Sequence, residues 1–224
     1  MLFVVQLMEL KEKILKLIYP PKCTFCRKIL TDGESGICRK CAESIRFLGR
    51  KESSQVFPWI DVCVSPLYYE GDVKESLHRF KFSSLTAYAG TYADLILAAA
   101  GDVISSCSVI TWVPLSRKRL RKRGYDQAEL IARELSARSG IACVPLLKKI
   151  RNVRPQSRTG NFEKRRANIK DAYIAINTET ISGRKILLVD DIVTTGSTLS
   201  ECGGVLKRAG ALAVCAAAAA RAKD

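Results

Sequence analysis

Residues 185–201 read KILLVDDIVTTGSTLSE, an apolar run that ends in two adjacent aspartates and then in small hydroxyl-bearing residues. An ordinary buried strand does not end in this way, because burying unpaired carboxylates is costly. In an open parallel sheet, ligands bind beyond the carboxyl ends of the strands, where each strand leads into the next helix. The stretch therefore predicts a buried strand, a ligand-binding turn and the start of a helix.

Strand-like and amphipathic helical segments alternate along the rest of the chain. The strand candidates are residues 61–69, 108–115, 141–150 and 184–192, and the helix candidates are residues 71–82, 87–102, 125–140 and 198–210. The segment ALAVCAAAAARA (211–222) has a helix-favouring composition, but its place after a crossover helix favours a final strand. The alternation predicts an α/β domain with a parallel sheet flanked by helices.

The turn TTGST (194–198) offers backbone N–H groups, hydroxyls and a glycine at a helix N-terminus, a combination that suits a phosphate monoester. No G-x-x-x-x-G-K-[ST] motif occurs, which excludes a Walker A loop. Asp190 and Asp191 would repel that phosphate, so we expect them to face hydroxyl groups or a developing positive charge. A sugar phosphate with two free hydroxyls meets both demands.

Four of the nine cysteines form two C-x-x-C pairs separated by eleven residues, Cys23 with Cys26 and Cys38 with Cys41. Four thiolates complete the tetrahedral sulfur cage that Zn²⁺ prefers and leave no position for water, so the pattern predicts a structural zinc site. An iron–sulfur cluster and free thiols are the alternatives, although the usual spacings of cluster ligands differ.

The chain carries 37 Lys and Arg against 22 Asp and Glu, a net charge of +15 that favours polyanionic partners. Six of the seven residues 117–123 are basic. Aromatic residues make up only 7% of the chain, so binding to single-stranded DNA would be mainly electrostatic. The apolar N-terminus is interrupted by charges and lacks the features of a secretory signal. It predicts an amphipathic helix, no transmembrane segment and a cytoplasmic location.

The stretch ILLVDDIVTTGSTL resembles the binding motif for phosphoribosyl pyrophosphate (PRPP) in type I phosphoribosyltransferases. The resemblance implies that residues 194–198 hold the 5-phosphate, that Asp190 and Asp191 bind the ribose hydroxyls as the catalytic carboxylates, and that Mg²⁺ binds with PRPP. The PRPP-binding residues it implies are Val189, Asp190, Asp191, Thr194, Thr195, Gly196, Ser197 and Thr198.

Two further segments are similar to loops of the same family. VPLSRKRLRKRG (113–124) corresponds to the pyrophosphate loop, and the basic segment 151–171 corresponds to the mobile loop that covers PRPP. The resemblance implies a pyrophosphate site made by Pro114, Leu115, Ser116, Arg119, Arg123 and Gly124. In the covering loop it implies roles for Gln156, Arg165 and Asn168.

The paired C-x-x-C module, VPLS…RGYDQA, RPQSR…RRAN and the PRPP motif together, in this order, resemble the ComF family. ComF proteins are late-competence proteins related to amidophosphoribosyltransferases and associated with DNA uptake in natural transformation. The resemblance implies a type I phosphoribosyltransferase fold with a small N-terminal zinc-binding module. One departure is Asp126, where the family's usual residue is asparagine.

The expected organisation is an N-terminal helix and four-cysteine zinc module over residues 1–50, a linker near residues 48–59, and a phosphoribosyltransferase-like domain over residues 58–224. The implied partners are PRPP, single-stranded DNA, and a competence helicase or other uptake machinery. Two functions stay open. The chain is either a PRPP-binding protein of DNA uptake, or a Mg²⁺-dependent phosphoribosyltransferase of nucleotide metabolism with an unidentified acceptor and no DNA role.

Overall fold

The computed structural model describes residues 20–151 and 171–223 and divides into two compact units, with the boundary between Ile45 and Arg46. The predicted N-terminal helix lies outside the described residues, as do Gln156, Arg165 and Asn168. Among the described helices, none combines the length and apolarity that crossing a membrane requires.

The N-terminal unit consists of tight turns around the four clustered cysteines, followed by the short helix α1 (Arg39–Ser44). Antiparallel bridges join Lys22 to Ile29 and Ser35 to Ile37 and close the turns. Over residues 20–45, the described part of this unit, the buried residues are chiefly the cysteines and their neighbours.

The second unit alternates strands and helices, as the sequence predicts. Its helices are α2 (Arg50–Ser53), α3 (Gly71–Phe82), α4 (Tyr88–Ser105), α5 (Arg117–Arg123), α6 (Gln127–Ser139) and α7 (Ser197–Arg208). Its strands are β1 (Ser54–Phe57), β2 (Ile60–Val64), β3 (Leu67–Tyr68), β4 (Val109–Trp112), β5 (Leu147–Lys149), β6 (Tyr173–Ala175), β7 (Lys185–Val193) and β8 (Ala213–Arg221). A single 3₁₀ turn covers Thr178–Thr180.

The main sheet has the strand order β1-β2-β8-β7-β4, and β3 also pairs with β8. All of its pairings are parallel except that of β1 with β2, which is antiparallel. Strands β5 and β6 form a separate antiparallel pair. Asp190 pairs with Ala218 near the carboxyl end of β7, so the two aspartates lie at the carboxyl edge of a central strand.

Helices cover both faces of the sheet. Helices α4 and α6 pack together on one face, and α7 packs on the other face against β6, β7 and β8. Residues 186–189 of β7 and 216–220 of β8 are fully buried, as expected for strands covered on both sides. The five consecutive alanines 216–220 of β8 are therefore strand residues despite their helical propensity, because their small side chains fit under helices on both faces. The predicted parallel sheet flanked by helices is confirmed.

Two segments differ from the prediction. The predicted linker contains α2 and β1, and β1 extends the sheet as an antiparallel edge strand. The basic run 117–123 forms helix α5, capped at its start by the Ser116 hydroxyl and ended by Gly124 in the left-handed conformation (φ 82°). Alternating hydrophobicity is weak in both segments, which is why their secondary structure is not evident from the sequence.

Candidate functional site

A polar cavity of about 190 Å³ opens at the carboxyl edge of the sheet, above β7 and β4. It brings together acidic and basic side chains from four segments that are distant in sequence. Its lining residues are Lys81, Val113, Pro114, Leu115, Arg119, Arg123, Asp126, Gln127, Ala128, Lys149, Tyr173, Asp190, Asp191, Ile192 and Thr198. Four cations thus face three carboxylates in one small space, which is the composition expected of a site for a multiply charged polar ligand.

The two adjacent aspartates have different environments. Asp190 Oδ1 accepts a hydrogen bond from the Asp191 backbone N–H at 2.8 Å, and burial together with the neighbouring Asp191 charge raises the pKa of Asp190 well above its usual value. Asp191 pairs with the Lys81 ammonium at 2.7 Å. One carboxyl is therefore held in a dry environment, and the other is neutralised by a lysine that a ligand can displace.

The turn before α7 places a glycine and two hydroxyl groups at a helix N-terminus. Gly196 takes the left-handed conformation (φ 67°) and caps α7, while the hydroxyls of Thr195 and Ser197 lie 2.8 Å apart. Thr198 lines the cavity with the aspartates, and Thr194–Ser197 form the turn that precedes it. The ring of Phe57 packs so closely on Gly196 that a side-chain carbon there would overlap it.

The segment after β4 contributes both backbone and side chains. Pro114 and Leu115 line the cavity, and Arg119 and Arg123 reach it from α5. Ser116 has a structural role, since its hydroxyl accepts from the Arg119 N–H at 3.4 Å at the start of the helix. Gly124 closes the same helix.

Asp126 connects this segment to α6. Its Oδ1 accepts from the Ala128 and Glu129 N–H groups, and its Oδ2 accepts from the Leu115 N–H at 2.7 Å. Burial raises the pKa of Asp126 to about 6, although these N–H groups oppose the shift. The Leu115 N–H is therefore committed to Asp126, and a bound anion would be met at this point mainly by the arginine side chains.

Three cavity residues lie outside every motif on which the sequence-based site prediction rests. Lys81 comes from the end of α3, and Lys149 and Tyr173 come from the β5–β6 pair, where the Lys149 Nζ lies 2.8 Å from the Tyr173 hydroxyl. Burial lowers the pKa of Lys149. A lysine within a strand-like run such as PLLKKI gives no signal of its own, because only the fold brings it to the cavity.

The four paired cysteines of the N-terminal unit form one cluster. All four sulfur atoms lie within 4.8 Å of one another, and the Cys26 and Cys38 sulfurs are 3.6 Å apart. Zinc–sulfur bonds of about 2.3 Å in a tetrahedron place sulfurs about 3.8 Å apart, so the cluster fits Zn²⁺. Burial raises the pKa of the Cys23 thiol, but backbone N–H groups from both pairs outweigh it and lower the value to about 7, which favours the thiolate that binds metal.

Comparison with protein families gives two matches, one in each half of the chain. Residues 14–53 match the family model of the double zinc ribbon domain, and residues 120–224 match that of the phosphoribosyl transferase domain. The first match contains all four clustered cysteines, which supports structural zinc. The second contains Asp190, Asp191 and the turn before α7.

Relatives cover most of the chain. Competence protein F of Haemophilus influenzae is 28% identical over 220 residues, which span 84% of this chain and 92% of that protein. DNA utilization protein YhgH of Escherichia coli (strain K12) is 27% identical over 220 residues, 88% of this chain and 96% of that protein. Competence protein ComFC of Bacillus subtilis (strain 168) is 30% identical over 139 residues, 58% of this chain and 52% of that protein.

Proposed function

Since the chain is a relative of the ComF competence proteins, with a zinc ribbon followed by a phosphoribosyl transferase domain, we propose that it binds PRPP with Mg²⁺ in the cytoplasm and handles single-stranded DNA during DNA uptake. The observation that carries the PRPP part is the cavity, where two adjacent carboxylates, a turn at a helix N-terminus and four cations meet.

Each part of PRPP has a matching group in this site. The 5-phosphate lies in the turn 194–198, where backbone N–H groups and the α7 N-terminus favour an anion. The ribose hydroxyls donate to Asp190 and Asp191, and the incoming ligand replaces Lys81 as the partner of Asp191. The pyrophosphate binds to the side chains of Arg119 and Arg123, since guanidinium groups suit phosphate oxygens.

Magnesium fits the oxygen donors of this site. Carboxylate and phosphate oxygens are its preferred ligands. Asp190 and Asp191 lie beside the proposed position of the ribose and pyrophosphate oxygens. When bound, the ion would offset the negative charge of the pyrophosphate.

Transfer of the phosphoribosyl group to an unidentified acceptor, without a DNA role, is the second candidate function. The arrangement of the aspartates favours it, because carboxylates beside the ribose stabilise the positive charge that develops at C1 when pyrophosphate leaves. Release of pyrophosphate in the presence of a panel of bases and amines separates turnover from binding alone.

Calorimetric titration with PRPP and Mg²⁺ tests the site. We expect binding by the wild-type chain and a loss of at least about 100-fold in affinity when Asp190→Asn is combined with Asp191→Asn, since both hydroxyl contacts are weakened. The matched control is Glu75→Gln combined with Glu179→Gln, which changes two exposed carboxyl groups away from the cavity. Equal affinities in the two double variants would overturn the assignment.

The DNA part is tested by anisotropy with a labelled oligo(dT) at several salt concentrations. We expect the affinity for oligo(dT) to fall steeply as the salt concentration rises. In the double variant Arg121→Ala with Lys122→Ala on α5, the slope of log affinity against log salt concentration should be smaller in magnitude by about 1.4. The control with the same net charge is Arg184→Ala with Lys185→Ala at the opposite edge of the sheet, and its slope should stay at the wild-type value. Affinity independent of salt contradicts electrostatic binding.

A further inference from the structure

An aromatic side chain is exposed beside the cavity. Phe82, the last residue of α3, is 56% exposed although it follows Lys81, whose ammonium group reaches Asp191 in the cavity. Leu212, an exposed apolar residue at the opposite edge of the sheet, is not next to the cavity.

Phe82 belongs to a cluster of three planar groups. The His78 ring lies 4.8 Å from it, centroid to centroid, at 46°, and the Arg123 guanidinium lies 5.1 Å from its centroid. Arg123 also lines the cavity and donates to the Gln127 side chain at 2.7 Å. The cluster therefore shares a residue with the cavity and forms part of its rim.

The surroundings of the cluster are strongly basic. Arg123 ends α5, a helix with six cations and no acidic residue, and none of its residues is buried. An exposed aromatic ring next to such a row of cations is the combination found where proteins hold single strands, because the ring stacks on a base while the cations follow the phosphates.

We propose that Phe82, with His78 and Arg123, is a base-stacking site for single-stranded DNA whose phosphates contact α5. The inference rests on the proposed DNA function and adds the position of one base, at the rim of the PRPP cavity. Its chemistry is recognition of a nucleobase ring, which either a DNA strand or a free nucleotide presents.

The test compares two labelled strands of equal length, oligo(dT) and an abasic oligodeoxyribonucleotide, with dTMP as the free-nucleotide arm. Stacking predicts that the wild-type chain prefers oligo(dT) to the abasic strand. Phe82→Ala should weaken oligo(dT) binding about tenfold and leave abasic binding unchanged. Phe82→Trp should retain the preference, and Leu212→Ala, which shortens another exposed apolar side chain, should behave as wild type.

Each outcome has a distinct meaning. Equal binding of the two strands by the wild-type chain, or an unchanged affinity of Phe82→Ala for oligo(dT), overturns the stacking site while the proposed DNA function stands. Failure of the wild-type chain to bind either strand at low salt overturns the DNA function and the site with it. If Phe82→Ala weakens only dTMP, the ring serves a free nucleotide, and the strand proposal is wrong. Unchanged thermal unfolding of each variant shows that the differences come from binding.

Discussion

At the scale of single residues, Asp126 shows how one side chain organises the cavity. Its two oxygens accept three backbone N–H groups and join the segment after β4 to the start of α6. Asparagine offers one acceptor oxygen and one donor group, so it cannot accept from Leu115 while also capping α6. The position was notable in the sequence as a departure from the ComF pattern, but the contact with Leu115 becomes evident only in the fold.

The first prediction concerns the pH dependence that this buried carboxyl causes. Because its pKa in the folded chain is raised to about 6 from 3.8, its contribution to stability is complete below pH 3.8 and is lost as the pH rises through 6. Asp126→Asn removes this titration. The free energy of unfolding of the variant relative to wild type should therefore rise by about 2 kcal/mol between pH 4.5 and 7.5.

Denaturant unfolding of both proteins at each pH measures this difference. Comparing them at the same pH cancels the titration of groups distant from Asp126, including the zinc thiolates. Loss of the Leu115 hydrogen bond changes the variant's free energy of unfolding by the same amount at every pH. It therefore leaves the pH dependence of the difference between the two proteins unaffected. A difference that does not change with pH would show that Asp126 has an ordinary pKa.

At the scale of elements, the antiparallel hairpin β1–β2 supports the turn before α7 (194–197). Phe57, at the end of β1, packs on Gly196, and the backbone of Trp59 in the hairpin turn lies so close to Gly203 of α7 that a side-chain carbon there would meet it. The hairpin therefore packs along the small-residue face of α7. The glycines of TTGST and ECGG predict close approaches, but the sequence does not show that the segment taken for a linker makes them.

The second prediction tests this packing with a double-mutant cycle. Gly196→Ala places a side chain at φ 67° and against the Phe57 ring, so it should destabilise the chain by about 2 kcal/mol or more and weaken PRPP binding. Adding Phe57→Ala should recover the part of the loss that comes from the overlap and leave the backbone strain.

Gly101→Ala is the control for this cycle. Gly101 lies inside α4 with nothing within 4 Å of its potential side chain, so alanine there should stabilise the helix by about 0.5–1 kcal/mol. Strictly additive effects of Gly196→Ala and Phe57→Ala in denaturant unfolding would show that the hairpin does not constrain the turn.

At the scale of the whole molecule, the sequence predicts the architecture better than the cavity. A continuous apolar run locates β7, the position after a crossover helix locates β8, and apolar residues at helical spacing locate the long helices. The metal cluster is equally evident, since its ligands are close in sequence. Lys81, Lys149 and Tyr173 are not evident, because they lie on other elements, 17 or more residues from Asp190, and reach the cavity only through the fold. Local patterns therefore identify the elements, and long-range topology completes the site.

The division of the chain into two compact units predicts that metal binding and PRPP binding are separable. All cavity residues lie after Arg46, whereas the four cysteines lie before it. Cys23→Ser removes one of four thiolates, so zinc should be lost and the turns around the cluster, whose described buried residues are chiefly the cysteines and their neighbours, should unfold. PRPP affinity should remain within about twofold of wild type.

Metal analysis, proteolysis of the N-terminal unit and calorimetry measure the three effects, and Cys143→Ser, at a single cysteine outside the cluster, is the control. Retention of a full zinc equivalent by Cys23→Ser would exclude the four-thiolate site, and loss of PRPP binding together with zinc would show that the second unit depends on the first.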